Sequence, residues 1–393
     1  MKKNKNRFLL GFFLGMLAMA VVVGGVGTGL YFANKNTSGK TISEKTSQKL
    51  DYINKLIDAK FLNKVNESDL EDGIYKGLLE GLNDPYSVYY TAEEYRKMME
   101  QTSGTYSGIG ALVSQNAETG IITVVKAFAD APAAKAGVKN GDIIYKVKGK
   151  EVTGVDINNV VTEMKGEKGT TVDITVYRES EKKYIDFTIT RDQVNEPTVE
   201  YKMLDKKKKI GYIQISQFEE VTYDQFTKAL DDLKKQGMKA VIFDVRSNPG
   251  GLYETVCKML DEILPEGNLV STKDKYGNEE KQTSDSKCLD MPMVVLQNKD
   301  SASASEIFAG AIQDFNAGKI VGTQSFGKGI VQTILPLSDG SAVKLTVQDY
   351  YTPSGKNIHG KGITPDVEAE LEENATSDTQ LEKAKETIME LMK

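Results

Sequence analysis

Two short segments in the last third of the chain carry the side chains best suited to hydrolytic chemistry. Three serines alternate with alanines over residues 301–305, and Glu306 then opens a stretch with helical spacing of apolar residues. Lys328 lies between two glycines further along the chain. A serine at a helix N-terminus and a lysine in a glycine-flanked turn could form the nucleophile and general base of a Ser-Lys hydrolase.

Each segment also has a purely structural interpretation. Ser303 and Glu306 fit the S-x-x-E capping box, in which the serine hydroxyl only closes the helix N-terminus. Gly-Lys-Gly is compatible with an ordinary turn whose lysine points into water. Taken alone, each structural interpretation is the better one, so the hydrolase hypothesis depends on the rest of the chain.

The flanking pattern indicates what would position these side chains. The apolar residues 291–296 predict a buried strand that ends just before the serines, and residues 306–315 predict a helix. A second buried strand, residues 240–245, runs into Arg-Ser-Asn-Pro-Gly-Gly at 246–251 and then a helix. Such a turn gathers backbone N–H groups at the positive end of a helix dipole. Because GxxxxGK[ST] is absent, an oxyanion site is favoured over a nucleotide site, with a simple turn as the alternative.

Residues 103–190 predict a compact unit of short strands and two short helices. Its order resembles a PDZ domain of the bacterial protease type, most specifically in Pro-Ala-Ala-Lys-Ala-Gly at 132–137 and Gly-Asp at 141–142. In that family, backbone N–H groups of the loop matching Gly108, Ile109 and Gly110 would hold a peptide's C-terminal carboxylate. The peptide itself would add as a strand to the sheet edge. A tight glycine turn in a small β domain is the alternative.

Composition narrows the classes of function. The 393 residues are 39% hydrophobic with a net charge of −6, which predicts a globular chain of two or three domains and argues against nucleic-acid binding. His359 is the one histidine and there is no HExxH or CxxC, so we expect no metal and no cofactor. A Ser-His-Asp triad would have to use His359, which we expect to be structural or exposed. Cys257 and Cys288 could pair outside the cytoplasm or remain free thiols.

The N-terminus has the pattern of a membrane anchor. Basic residues within 2–7 precede an uncharged apolar run, residues 8–33, which exceeds the roughly 20 residues needed to cross a bilayer. The basic flank predicts a cytoplasmic N-terminus and an extracytoplasmic remainder. A cleaved signal peptide, with Ala-Met-Ala at 18–20 as its cleavage site, is the alternative.

Helical segments follow the anchor and close the chain. Residues 35–102 predict a polar stalk and amphipathic helices, which could pack on their own domain or join two subunits, so we expect a homodimer. Residues 371–393 predict a terminal helix with an apolar face, which either docks or extends freely.

Assembled, these parts resemble the carboxyl-terminal processing proteases, the tail-specific peptidases of the S41 group. The resemblance covers nearly everything after the anchor. It rests on Asp-Pro-Tyr-Ser at 84–87, the PDZ unit, and the segments 246–251, 301–306 and 326–329 with Gln332. The implied fold is an α/β, ClpP/crotonase-like serine protease core over residues 191–370. The PDZ domain is inserted at 103–190, after the cytoplasmic basic tip and transmembrane anchor of residues 1–34 and the stalk and helical region of residues 35–102.

The resemblance also implies roles for individual residues. The family's motif makes Ser303 the nucleophile, Lys328 the base and Gln332 the residue that orients the lysine, with the N–H groups of Gly250 and Ala304 as oxyanion donors. A lysine with its ordinary pKa of about 10.4 is protonated at neutral pH and cannot accept a proton. We therefore predict that burial lowers the pKa of Lys328.

The expected function is that of a membrane-anchored, extracytoplasmic serine endopeptidase. It would capture proteins or peptides by their exposed C-termini on the PDZ domain and cleave them with the Ser-Lys-Gln site. The alternative is a catalytically silent, membrane-tethered PDZ adaptor that has kept the fold without the chemistry. Against the adaptor, every polar residue that the reaction needs is present.

Overall fold

The computed structural model describes residues 42–371 and 377–393. The described residues fall into two compact units, which divide after Leu70. Helix α1 (Glu44–Lys60) begins at Ser43, whose side chain accepts the N–H of Thr46, and none of its residues is buried. Helix α2 (Glu67–Glu80) follows it along the chain.

The predicted anchor, residues 8–33, lies outside the described residues. Within residues 42–371 and 377–393, no helix combines the length and the apolarity that crossing a membrane requires. The anchor therefore stays a prediction.

The part from residue 84 to residue 108 leads into the predicted PDZ unit. Strand β1 (Val88–Tyr90) is followed by helix α3 (Ala92–Ser103), which a capping box of Thr91 and Glu94 begins. Gly104 ends α3 in the left-handed conformation at φ 65°, and strand β2 (Thr105–Gly108) follows directly.

The predicted PDZ unit is a six-stranded antiparallel sheet with two short helices. Its strands run in the order β3-β4-β5-β7-β8, with β6 on β5, and a separate pair of β2 with β9 closes the unit. Its buried core is made of apolar side chains from the strands, from both helices and from the connecting loops. The elements are β3 (Ala111–Gln115), β4 (Ile122–Ala127), α4 (Pro132–Ala136), β5 (Ile143–Val147), β6 (Lys150–Glu151), α5 (Ile157–Met164), β7 (Thr171–Arg178), β8 (Lys183–Thr190) and β9 (Asp192–Asn195).

The larger core is built on a second six-stranded sheet, ordered β10-β11-β12-β15-β16-β19. Its strands are parallel except for the antiparallel pair β10 and β11. The central strands β12 and β15 are buried at every residue, as expected for a parallel sheet that is covered on both faces. The elements are β10 (Val199–Asp205), β11 (Ile210–Ile215), α6 (Thr222–Lys235), β12 (Ala240–Asp244), α7 (Tyr253–Asp261), β13 (Gly267–Asp274), β14 (Glu279–Ser284), β15 (Met293–Gln297), α8 (Ala304–Asp314), β16 (Gly318–Gly322), β17 (Ile330–Pro336), β18 (Ala342–Tyr351), β19 (Val367–Glu368) and α9 (Thr379–Leu391).

Alternate strand residues supply the two faces of this sheet. Phe243 and Val295 belong to the main core, in which helices α6, α7 and α8 pack. Ile242 and Val294 belong to a smaller core with Ala384 and other residues of α9. The sheet is thus sandwiched, and α8 lies at the carboxyl end of β15.

A smaller sheet lies beside the main one and carries the second half of the site. Its order is β1-β18-β13-β14, and β17 pairs along β18. The antiparallel hairpin of β13 and β14 occupies most of the polar stretch 266–290.

Arg246 anchors the terminal helix, which therefore docks. Its guanidinium bonds Asp244 at 2.6 Å and both carboxylate oxygens of Asp378, at 2.7 and 2.9 Å. These contacts join the end of β12 to the residue that begins α9. In the described part of the chain Cys257 is buried, Cys288 is exposed, and both are free thiols.

Candidate active site

Ser303 lies in the sharp turn between β15 and α8. Its backbone has φ 55° and ψ −114°, a strained conformation for a residue with a side chain. Strained turns from strand to helix expose the nucleophile in other hydrolases, and such strain clusters at active sites. Ser301 and Ser305 are buried and donate to the carbonyl oxygens of residues 245 and 248, at 2.8 and 2.9 Å. Of the three serines, Ser303 is the one whose turn lines the cleft described below.

Glu306 joins the two segments with which the sequence analysis began. Its fully buried carboxylate accepts the N–H of Ser303 at 2.8 Å, which is the carboxylate half of the expected capping box. The same carboxylate accepts the N–H groups of Gly327 and Lys328, at 2.6 and 2.8 Å, and the hydroxyl of Ser325 at 2.6 Å. Sequence reasoning assigned Glu306 to capping alone. The sequence feature that could have indicated a further role for Glu306 is its position as a carboxylate at the start of an otherwise apolar helix.

Lys328 has the environment that a lysine base requires. Burial lowers its pKa, and the charge of Lys344 lowers it further, while Asp84 and Glu306 act in the opposite direction. The ammonium lies 4.6 Å from the centre of the Tyr86 ring. Among the residues that the structure describes, none accepts a hydrogen bond from Lys328 Nζ, Ser303 included.

Gln332 follows a register shift in the pairing of β17 with β18. Its amide nitrogen lies 3.5 Å from the carbonyl oxygen of Ile330 and 3.5 Å from the hydroxyl of Thr346. The side chain lines the same cleft as Ser303 and Lys328, but its recorded hydrogen bonds are with its own sheet. Its predicted role in orienting the lysine stays a prediction.

The Pro-Gly-Gly turn packs directly against the serine turn. A Cβ added at Gly250 would lie 2.8 Å from Ser303 Cβ and 3.0 Å from the nitrogen of Ala304, so the close approach requires glycine, as does its φ of 108°. The predicted oxyanion donors are therefore neighbours. The N–H of Gly250, however, donates to the side-chain oxygen of Asn248 at 2.8 Å. It could serve an oxyanion only if this bond were released or shared.

These turns border a cleft of about 960 Å³, lined by Ser303, Ala304, Lys328 and Gln332. His359 is exposed and is not among the cleft residues.

The predicted carboxylate-binding residues, Gly108, Ile109 and Gly110, lie outside this cleft. Gly108 ends β2 and Ile109 is buried, and β3, which follows them, is an edge strand of the PDZ-like sheet as described. The carbonyl oxygens of Ile109 and Gly110 accept the N–H groups of residues 133 and 128, which fixes the loop.

Glu219 is a cleft residue that sequence reasoning missed, because nothing in the local pattern predicts its burial. Its side-chain oxygen Oε2 is buried without a hydrogen-bond partner among the described residues. It lies against Gly104, at which an added Cβ would come within 2.3 Å of that oxygen. Burial, and then the charge of Glu196, raise the pKa of Glu219 to about 7.

We expect Glu219→Gln to stabilise the protein above neutral pH. Because the folded-state pKa of Glu219 is raised from 4.5 to about 7, the folded protein retains a proton that the unfolded chain has lost. The free energy of unfolding therefore falls as the pH rises from 4.5 to about 7. Above that pH the destabilisation by the buried Glu219 carboxylate is fully present. Urea unfolding at pH 8 should show the variant to be more stable by about 1–3 kcal/mol, with a smaller difference at pH 5.

Glu220→Gln provides the matched control, because Glu220 is the exposed neighbour. We expect it to keep the pH dependence of the wild-type protein. Equal pH dependence in the Glu219→Gln and wild-type proteins would contradict the prediction.

Comparison with known proteins identifies relatives of most of the chain. The profile of Peptidase family S41 matches residues 209–369, that of the PDZ domain residues 107–189, and that of the Activating protease CtpB N-terminal domain residues 28–94. A probable CtpA-like serine protease of Staphylococcus epidermidis is 36% identical over 358 residues, which cover 90% of this chain and 71% of the relative. A protein of Staphylococcus aureus with the same description is 36% identical over 362 residues, which cover 90% of this chain and 72% of that relative.

A solved structure adds a likeness of fold. The structure described as an S41 protease of Bacteroides fragilis has a TM-score of 0.53, covering 81% of this chain and 90% of that chain. At 16% sequence identity, this likeness shows the fold alone.

Proposed function

Because the chain belongs to the S41 family of serine peptidases and carries a PDZ domain, we propose that it cleaves polypeptides with Ser303 and Lys328 and selects them by their C-terminal tails. The observation that carries this proposal is the Glu306 carboxylate. It bonds the backbone of both residues, at 2.8 Å in each case, and so ties the two turns together at one cleft.

The chemistry needs a neutral lysine. The hydroxyl oxygen of Ser303 attacks the scissile carbonyl carbon while its proton passes to the Lys328 amine. The ammonium then protonates the leaving amine, and water hydrolyses the acyl-enzyme by the same two proton transfers. The lowered pKa of Lys328 supports this role, since more of the amine is neutral than at an exposed lysine. Because no hydrogen bond joins Lys328 Nζ to Ser303 among the described residues, one of the two side chains must shift before the proton passes.

The oxyanion of the tetrahedral intermediate forms beside the Pro-Gly-Gly turn. We assign its stabilisation to the N–H of Ala304 and the N–H of Gly250, the latter after exchange of its bond to Asn248. Loss of one such donor commonly costs about 3 kcal/mol of transition-state stabilisation. Gln332 would orient the lysine from the cleft side of β17.

Tail selection is assigned to the PDZ domain, with its boundaries at 103–190, between the helical region and the peptidase core of 191–370. The loop of Gly108, Ile109 and Gly110 would bind the terminal carboxylate, and the tail would add to β3. Two features support this: β3 is an edge strand, and Gly110 has a φ of 75°, a conformation suited to a tight loop.

We further propose a single-pass anchor at residues 8–33, an extracytoplasmic catalytic part and a homodimer. The basic flank of the apolar run supports the anchor. Helix α1 leaves Leu50, Ile53 and Leu56 exposed by 37%, 41% and 42%, which supports association through this helix. Sedimentation as a monomer at micromolar concentration would exclude the dimer, and release from membranes by alkaline carbonate would exclude the anchor.

The experiment for the whole proposal uses the detergent-solubilised full chain and one unfolded protein substrate in two forms. The first form has a free apolar C-terminus and the second has the same tail as an amide. We expect the free tail to be cleaved with a kcat/KM about tenfold higher, because the amide loses charge-assisted hydrogen bonds to the loop.

An unrelated protein with a free acidic tail serves as the specificity control. Equal cleavage of the free and amidated forms would contradict recognition of the carboxylate. Binding of the free tail without any turnover, even at alkaline pH, would favour the adaptor over the peptidase.

A further inference from the structure

Residues 84–87 form a turn that is locked onto the smaller sheet. The Asp84 carboxylate accepts the N–H of Tyr86 at 3.1 Å and the hydroxyl of Ser87 at 2.6 Å. The Ser87 hydroxyl oxygen in turn accepts the N–H of Thr346 on β18, at 3.0 Å. Beyond the turn, β1 pairs with the same strand. The backbone that carries the Tyr86 ring is therefore held against β18 and is not a free loop.

Lys328 lies against this ring. Its ammonium is 4.6 Å from the ring centre, and no described residue accepts a hydrogen bond from it or forms an ion pair with it. An ammonium within about 6 Å of an aromatic face is attracted by the ring quadrupole, whereas a neutral amine has no charge to attract. The contact thus favours the protonated lysine specifically.

We propose that Tyr86 is a positioning residue for Lys328, whose ring holds the ammonium apart from Ser303 and releases the side chain once the amine has lost its proton. This inference rests on the proposed roles of Ser303 and Lys328. In each catalytic cycle the amine takes the proton of Ser303 and passes it to the leaving group. The ring offers a resting place to the protonated form alone, and the neutral amine is free to approach the serine.

Other groups near Lys328 also affect the balance between its protonated and neutral forms. Lys344 repels the ammonium, while Asp84 and Glu306 attract it, and burial disfavours the charge. These groups stay in place when only the ring is changed. Loss of the ring should therefore shift Lys328 towards its neutral form, so that it titrates at lower pH.

The titration of Lys328 can be measured without catalysis. In the full-length Ser303→Ala protein, competitive acetylation by acetic anhydride across a pH series, read by peptide mass spectrometry, gives the midpoint for this lysine. Tyr86→Leu should lower that midpoint by about half to one and a half pH units. Tyr86→Phe, which keeps the ring, should leave it unchanged.

Two further variants separate the ring from folding. Tyr276→Leu removes an exposed ring that lies 5.0 Å from the Lys275 ammonium, a charge that is not among those acting on Lys328, and it should leave the Lys328 midpoint unchanged. Tyr86→pentafluorophenylalanine keeps the shape of phenylalanine but reverses its quadrupole, so it should lower the midpoint relative to Tyr86→Phe. An unchanged midpoint in both Tyr86→Leu and the fluorinated variant would overturn the proposal. So would equal shifts in Tyr86→Phe and Tyr86→Leu.

The same ring variants, made with Ser303 intact, provide the catalytic readout. The acid limb of kcat/KM should move to lower pH in Tyr86→Leu and stay in place in Tyr86→Phe. If Ser303→Ala retained full activity, the proposed function would fail while the acetylation midpoints still tested the contact. If the midpoints shifted and the acid limb did not, the ring would bind the lysine without positioning it, which overturns the inference.

Discussion

Replacing Ser303 or Lys328 by alanine is expected to lower kcat/KM by about 10⁴-fold or more, and the double variant should be no worse than either single one. Residues that act as a unit in a hydrolase are strongly non-additive, because removal of one already abolishes the step that needs both. Initial rates on a quenched-fluorescence peptide, measured at several pH values, give the kcat/KM of the two single variants and of the double variant. Lys328→Arg should be equally inactive, since arginine keeps its proton at any pH at which the protein folds.

Ser305→Ala is the matched control for the serine. Its hydroxyl is buried and donates to the backbone of Asn248, so we expect a loss of stability near 1 kcal/mol and wild-type activity per folded molecule. Full activity in Ser303→Ala would remove this residue from the mechanism. Additive losses in the double variant would mean that serine and lysine act in separate steps.

Glu306→Ala is expected to destabilise the protein by about 3–5 kcal/mol and to lower kcat/KM by at least about a hundredfold. The change leaves three backbone N–H groups and the Ser325 hydroxyl without their acceptor in a buried site. The Lys328 turn then loses its carboxylate link to the Ser303 turn, and misplacement of the base by even 1 Å is costly. Urea unfolding and kinetics of the folded fraction measure the two effects.

Glu306→Gln and Glu254→Ala show whether the acceptor itself matters. The amide of glutamine keeps one oxygen but turns a donor towards N–H groups, so we expect an intermediate loss. Glu254 lines the same cleft and is exposed, and its removal should change stability by less than about 0.5 kcal/mol. Similar stability of Glu306→Ala and Glu254→Ala would show that the buried carboxylate does not hold the two turns together.

Much of the architecture follows from local pattern. The uninterrupted apolar runs at 240–245 and 291–296 predicted buried strands, and β12 and β15 are buried at every residue. The motifs at 132–137 and 301–306 predicted a PDZ domain and a family of serine peptidases, and both are now shown. These features depend on residues close together in the chain, where periodicity, capping and turn chemistry act directly.

The tertiary structure alone decided how distant side chains meet. The sequence determined that three serines precede a helix and that a lysine follows in a glycine turn, and only the family resemblance singled out Ser303 among the serines. Contacts with residues 245 and 248 bury Ser301 and Ser305, while Ser303 takes a strained backbone at the cleft. Likewise Glu306 looked like a local cap, and only the folded chain brings Gly327 and Lys328 to its carboxylate. Such long-range contacts cannot be predicted from sequence periodicity, because each partner already fits the helix, strand or turn pattern of its own segment.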